Sequence, residues 1–161
     1  MRDIVALALV LTCFISCSSN AVFDEYKTVS QTWDKNEIIT FQFEPTDTVA
    51  KHDLFVNIRN NNDYEFSNLY IIVKMNFPKG QVIADTLQYE MAYPDGKWMG
   101  SGFTDVKENK LWYKEKLSFP STGKYQIEIA QAMRKNGEIP GVNNLKGITE
   151  VGFSIEKAPN N

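Results

Sequence analysis

Alternation of apolar residues at every second position, the dominant pattern after residue 36, is the feature that most constrains the fold of this chain. Ile39, Phe41 and Phe43 alternate with polar neighbours, and the longest such run covers 69–77. A period of two places alternate side chains on one side of a β-strand. The same alternation predicts further strands at 22–26, 54–58, 87–91, 111–119, 125–129 and 149–155. Counting these alternating segments, we expect about eight strands.

Turn-forming residues separate these strands, at 60–63, 78–80, 94–96 and 120–123. The best helix candidate, 129–135, reads equally well as the end of a strand. The pattern predicts an all-β fold, an antiparallel β-sandwich with either jelly-roll or immunoglobulin-like connections. The Gly123-x-Tyr125 pair is typical of a sandwich corner at which the tyrosine hydroxyl bonds back to the backbone.

The N-terminal residues carry a second signal. The apolar run at 4–15 is shorter than the ~20 residues of a membrane helix and has the length of a secretory signal. Cys17 follows the small residue Ser16, which resembles a bacterial lipobox, although Phe14 stands where leucine is usual. Cys13 is a poorer candidate, because cleavage before it would cut the apolar run short. We therefore expect Cys17 to be lipidated.

The expected organisation of the chain follows from that cysteine. Several acyl chains, at about 0.8 kcal/mol per buried CH₂, would anchor the protein stably to a membrane. Ser18, not Asp, directly follows Cys17, and by resemblance to sorted bacterial lipoproteins we expect the outer membrane. Residues 18–22 are uncharged, which favours its periplasmic face. The expected parts are a signal peptide (1–16), a short lipidated tether (17–22), the sandwich domain (23–156) and a disordered tail (157–161).

The sequence offers little chemistry. The net charge is −3 and the basic residues are scattered, which argues against nucleic-acid binding. His52 is the only histidine, and a lone histidine beside one aspartate is typical of a surface residue. The two cysteines lack the partners of a zinc site, and no nucleophile motif is present. We expect no catalytic residues, no metal and no cofactor.

The segment 91–115 is unusually aromatic. Tyr93, Trp98, Met99 and Trp112 are the candidate contact residues in it, and three readings stay open. The segment caps the core, binds a protein partner, or stacks on sugar rings, since Trp and Tyr dominate binding hot spots. Trp112 alternates with its two neighbours and is expected on the outer face of a sheet.

Phrases along the whole chain resemble a known family. "NNNDYEFSNLY", "PDGKWMGSG" and "KLWYKE", with "GITEVGFSIEK" near the end, are similar to the gliding motility lipoprotein GldH family over 17–156. The resemblance implies a non-enzymatic envelope lipoprotein of the gliding machinery, associated with type IX secretion and its envelope proteins. Only the lipid-bearing cysteine carries over, here Cys17, with palmitate among its acyl chains. The alternative function is a cell-surface carbohydrate-binding module.

Overall fold

The computed structural model describes residues 20–30 and 32–159, and these residues form ten strands. Eight are five residues or longer, and two have only three residues. The bounds are β1 Ala21–Thr28, β2 Thr32–Asp34, β3 Ile39–Phe43, β4 His52–Asn60, β5 Asn68–Asn76, β6 Val82–Glu90, β7 Lys107–Leu117, β8 Tyr125–Gln131, β9 Asn144–Lys146 and β10 Ile148–Lys157. The 129–135 segment therefore begins as the end of β8.

The eight longer strands form two four-stranded antiparallel sheets. Sheet I has the order β1-β10-β4-β7, and sheet II has the order β3-β8-β5-β6. The pairs β5–β6, β4–β7, β3–β8 and β1–β10 are nested in the sequence and alternate between the two sheets. This nesting is a hairpin rolled into two Greek keys, which is the jelly roll. The predicted all-β sandwich is confirmed, and the topology decides between the two connections left open.

The core lies between the sheets and is rich in aromatic rings. Phe41 of β3 faces Phe153 of β10 with ring centroids 6.2 Å apart, and both are buried. Trp33 of β2 is fully buried, and its Nε1 donates to the Glu37 carbonyl at 3.1 Å. Among the described residues, β2 pairs with β9 in a separate two-stranded sheet. Strands of three residues are too short to carry an alternation signal, so the sequence did not predict them.

Tyr125 forms the predicted corner. Its hydroxyl donates to the Ser121 carbonyl at 3.0 Å, and its ring is fully buried. Phe43 and Phe119 pack on that ring, with centroids 5.5 and 5.1 Å away. The hydrogen bond fixes the loop before β8 against the core.

The ends of the sandwich lie at Ala21, where β1 begins, and at Lys157, where β10 ends. Ala21 pairs with Glu156. The strands thus start two residues before position 23 and end one residue after position 156. The expected signal peptide, Cys13 and Cys17 lie outside the described residues.

Candidate functional site

The four candidate residues of the aromatic segment are divided among different surfaces. Tyr93 stands at the start of a tight turn in which its N–H donates to the Lys97 carbonyl at 2.9 Å. Asp95 accepts from the Lys97 N–H at 3.0 Å, and Gly96 supplies the positive φ of 83° that the turn needs. The tyrosine ring is 48% exposed. A short, well-bonded turn therefore presents Tyr93 to solvent.

Trp98 lies against the domain. Its Nε1 donates to Asn62 Oδ1 at 3.2 Å, and its ring centroid is 6.1 Å from that of the buried Tyr64. Met99 follows with an exposed side chain, while its N–H donates to the Met91 carbonyl at 2.9 Å. The segment thus packs on the core at Trp98 and faces solvent at Met99 and Tyr93.

Trp112 belongs to the outer face of sheet I, as the alternation predicts. It pairs across the strands with Phe55, and the two ring centroids are 4.4 Å apart. Lys110 lies over the Phe55 ring at 4.2 Å and forms an ion pair with Glu156 at 2.6 Å. Trp112 is 52% exposed. Because Trp98 and Trp112 lie on different surfaces, they do not form one stacking platform.

A polar network covers the rest of the outer face of sheet I. Arg59 pairs with Glu108 at 3.2 Å and Glu150 at 2.6 Å, and its guanidinium lies 4.2 Å from the Tyr26 ring centroid. The Tyr26 hydroxyl donates to Glu108 at 2.6 Å. Burial, then this hydrogen bond to Glu108, raises the pKa of Tyr26 above its usual range. The polar groups of this network satisfy one another.

Gly152 makes room for that network. A Cβ at this position would lie 2.8 Å from two ring carbons of Tyr26, closer than side chains pack. The backbone of β10 therefore accommodates the Tyr26 ring, and with it the Arg59 cation stacked on the ring.

The outer face of sheet II carries a cleft of about 730 Å³ at the end where Tyr93 stands. Its floor contains two cross-strand pairs, Asn68 with Glu90 and Tyr70 with Gln88. One wall is the Tyr93 turn, and the other contains Arg134 and Asn136 from the loop after β8. We call this region the β5–β6 cleft. The sequence did not predict it, because its residues are distant in the chain and only their register joins them.

His52 is buried, so the expectation of a surface residue is wrong. It is 3% exposed, its ring lies 5.4 Å from Phe119, and its Nδ1 has no hydrogen-bond partner within the described residues. The reason is its place at the start of β4, which lies between β10 and β7 and is buried along almost its whole length.

The described residues contain neither a cluster suited to a metal ion nor a helix suited to a membrane. Between residues 20 and 159, Gln31 aside, no group of three or more His, Cys, Asp and Glu side chains is arranged to hold a metal ion. In the same part of the chain, no helix has the length and apolar character needed to span a bilayer.

Comparison with known proteins decides the family. The model of the GldH lipoprotein family matches residues 21–155, which is most of the chain. The chain belongs to the GldH lipoprotein family. It is 51% identical over 154 residues to the "Gliding motility lipoprotein GldH" of Flavobacterium johnsoniae, covering 96% of this chain and 94% of that protein. It is 52% identical over 147 residues to a "Gliding motility lipoprotein GldH homolog" of Christiangramia forsetii, covering 91% and 90% respectively.

Membership of the GldH family confirms the resemblance drawn from the sequence phrases. It supports a membrane-anchored envelope lipoprotein with a role in gliding. Among solved structures, the chain is similar to the VP2 subviral particle of infectious bursal disease virus. The TM-score is 0.34 and the identity 9%, over 87% of this chain and 39% of that chain. A similarity this distant carries no argument about function.

Proposed function

We propose that the chain is a lipid-anchored, non-enzymatic accessory component of the gliding machinery, held by acylated Cys17 at the periplasmic face of the outer membrane. Family membership and the names of the two relatives support the role in gliding. The lipobox-like position of Cys17 supports the anchor, and the uncharged residues after it support the periplasmic face. The resemblance of the sequence phrases to the GldH family supports an association with type IX secretion.

The proposal that the chain docks on a partner protein rests on the free edge of β6. The Phe77 N–H donates to the Gln81 carbonyl, and the Met91 N–H donates to the Ser67 carbonyl. These two bonds flank the β5–β6 pair, and bonded residues alternate between them, so the odd-numbered residues of β6 bond to β5. In an antiparallel pair the alternate residues turn their N–H and C=O groups away from the neighbour. The outward-facing residues are Val82, Ala84, Thr86, Gln88 and Glu90. Within the described residues, no other segment bonds to these backbone groups.

The other edge strands are shorter or partly occupied. β1 has a register shift between Ala21 and Phe23, and β3 has five residues, with the Lys27 side chain bonded to the Thr40 carbonyl. On β7, Glu108 exchanges two backbone bonds with Ser101, and the Trp112 carbonyl accepts from Tyr89. β6 keeps nine regular residues without a bulge. An open edge of this kind accepts an extended segment of another chain.

The anchor and the edge act together in this proposal. Three residues, 18–20, separate Cys17 from Ala21, so their Cα atoms are four steps and at most ~14 Å apart. The sandwich would therefore stay close to the bilayer, at the same surface as other anchored envelope proteins. Confinement to one surface raises the effective concentration of two partners, so that a modest edge contact suffices to hold them together.

Complementation in a gliding relative tests the function. A strain of Flavobacterium johnsoniae lacking its own GldH would receive this chain as wild type or as Cys17→Ala, both with a C-terminal tag. We expect the wild-type chain to restore colony spreading, and we expect Cys17→Ala to fail because the protein is no longer held at the membrane.

Immunoblots of membrane and soluble fractions serve as the control, since both proteins must be present in similar amounts. Equal spreading with the two proteins would contradict the anchored role. Failure of well-expressed, membrane-bound wild-type protein to restore spreading would contradict the role in gliding.

A further inference from the structure

We propose that the β5–β6 cleft binds a neutral oligosaccharide. Tyr93 would stack on the face of one sugar ring, and Gln88, Asn68 and Arg134 would bond its hydroxyl groups. This site goes beyond the proposed docking role, and it uses side chains on the outer face of sheet II rather than the backbone edge of β6.

The floor of the cleft is fixed by strand register. Tyr70 lies directly opposite Gln88, and Asn68 directly opposite Glu90. Directly opposed residues have Cβ atoms about 5 Å apart, so these four side chains form a compact patch about the size of one sugar ring. The Tyr70 N–H is bonded to Met133 Sδ at 3.1 Å, and its carbonyl accepts from Ala132 at 2.8 Å. The floor is therefore held in place by the sheet.

The walls are two bonded turns. Tyr93 is presented by the 93–97 turn, in which the Gly96 N–H donates to the Tyr93 carbonyl at 2.9 Å. The opposite wall begins at Arg134, whose backbone bridges to Gly141, and turns where Glu138 donates to the Lys135 carbonyl at 3.0 Å. Walls of this kind are formed before a ligand arrives, which lowers the entropy lost on binding.

The polar side chains of the cleft are available for hydrogen bonds to a ligand. Within the described residues, no intramolecular hydrogen bond or ion pair engages the side chains of Asn68, Gln88, Glu90 or Arg134. The outer face of sheet I is the opposite case. There Arg59 and Lys110 are paired with carboxylates, and Asn57 bonds to Ser154 at 2.9 Å. Elsewhere on sheet II the polar side chains are also bonded internally, since Gln42 donates to Gln126 at 3.0 Å and Asn76 donates to Glu128 at 3.1 Å. The cleft, by contrast, leaves amide, carboxylate and guanidinium groups free for a ligand.

The lining also selects the class of ligand. It carries one cation, Arg134, and one anion, Glu90, so its formal charge is zero and it does not favour a strongly charged ligand. Its apolar residues are Phe66, Ala92 and Pro94, and it contains no Leu, Ile, Val or Met, so it lacks the branched aliphatic lining that suits an acyl chain. Exposed tyrosine with amide donors and acceptors suits a ligand that has flat C–H faces and many hydroxyls. A neutral sugar has both properties.

Calorimetry on the full chain tests the site. The protein would be purified from membranes in lauryldimethylamine oxide, a detergent without a sugar headgroup, and titrated with chitohexaose and with cellohexaose. These two probes share their linkage and differ in the acetamido group at C2. Preference for chitohexaose would indicate an aminosugar polymer such as the glycan strand of the cell wall. Equal or better binding of cellohexaose would indicate a polysaccharide of neutral hexoses.

Matched variants locate the binding. Tyr93→Ala should weaken it about tenfold, the loss expected for one aromatic contact, whereas Trp112→Ala, which removes an equally exposed ring from sheet I, should change it less than about twofold. Gln88→Ala should weaken it as well. The proposal is overturned by the absence of binding to both hexaoses at millimolar concentration. It is also overturned by affinity that is unchanged in Tyr93→Ala, or by stronger binding of the charged probe hexagalacturonate. These results are independent of colony spreading.

Discussion

A single hydroxyl holds the loop before β8 to the sandwich. The Tyr125 hydroxyl donates to the Ser121 carbonyl, and the Ser121 N–H donates to the hydroxyl oxygen at 3.3 Å. The ring beneath it is fully buried, so its position is already determined by packing. The hydroxyl adds a fixed backbone contact to a ring that the core would hold in any case.

The variant Tyr125→Phe isolates that contact. It keeps the ring and removes the hydroxyl, so we expect the free energy of unfolding to fall by about 0.5–1.5 kcal/mol, the net value of a hydrogen bond. Urea unfolding followed by circular dichroism would measure the change. Tyr93→Phe is the control, because that hydroxyl has no protein partner in the described chain, and it should unfold like the wild type. A loss of the same size in both variants would show that the corner contributes nothing specific.

Residue-scale chemistry was predictable where a local pattern determined it. The Gly123-x-Tyr125 spacing indicated the corner because the bond closes within four residues. His52 was mispredicted, because its burial depends on β10 and β7 lying on either side of β4, which no nearby residue reveals. The exposure of a single polar residue is predicted from the average exposure of its residue type. A residue in a central strand of a jelly roll is more buried than that average.

The β6 edge is the element on which the docking proposal depends. The free backbone N–H of Ala84 points away from β5 and is not needed for the sheet. Proline at an edge position of this kind removes a donor without breaking a ladder bond. We therefore expect Ala84→Pro to fold, with an unfolding midpoint close to that of the wild type, and to fail in complementation of colony spreading.

Ala84→Ser is the matched control for this edge, since it keeps the N–H and should restore spreading. If Ala84→Pro also restores spreading fully, the open edge is not the docking site. Ala84 does not line the β5–β6 cleft, so sugar binding should be unchanged in this variant.

Elements were predictable in proportion to their length. The longer strands were predictable because apolar residues alternate over five or more positions in each of them. β2 and β9 pair over three residues each and exist because Trp33 and Leu145 are buried by the rest of the sandwich. The 91–115 segment had three open readings because its aromatic residues divide between core and solvent. Only the bonds of Trp98 to Asn62 and of Met99 to Met91 determine which residues lie on which side.

The whole sandwich is expected to lose stability at high pH. Burial, together with the nearby Asp85 carboxylate, raises the pKa of Tyr89 from 10.0 to about 12. Burial also raises the pKa values of Tyr64 and Tyr113. The folded protein thus holds these protons more tightly than the unfolded chain. Their contribution is fully present below about pH 10 and is lost as the pH rises towards 12.

Urea unfolding at a series of pH values measures this loss. We expect the free energy of unfolding to fall steadily between pH 10 and about pH 12. The Tyr89→Phe variant should show a shallower fall, in addition to a constant loss from the missing bond to the Trp112 carbonyl at 2.6 Å. Identical pH slopes for wild type and variant would contradict the role assigned to Tyr89.

The two outer faces of the molecule differ in a way that bears on function. On sheet I, Arg59 and Lys110 are paired with carboxylates within the face, and part of sheet II is bonded likewise, with Asn76 donating to Glu128. Sheet II differs in its open edge at β6 and in the uncommitted side chains of the β5–β6 cleft. The fold class followed from the alternation of single strands. This asymmetry did not, because it depends on which strands become neighbours, and the jelly-roll order appears only in the folded chain.

Affinity purification from envelope membranes tests the central claim most directly. The chain would carry a C-terminal tag and be recovered as wild type, Cys17→Ala and Ala84→Pro from the complemented gliding strain, with co-purified proteins quantified by mass spectrometry. The account predicts that gliding or type IX secretion components are enriched with the wild type and reduced with both variants. Recovery of the same proteins in the same amounts with all three, or of no such component with the wild type, would contradict it.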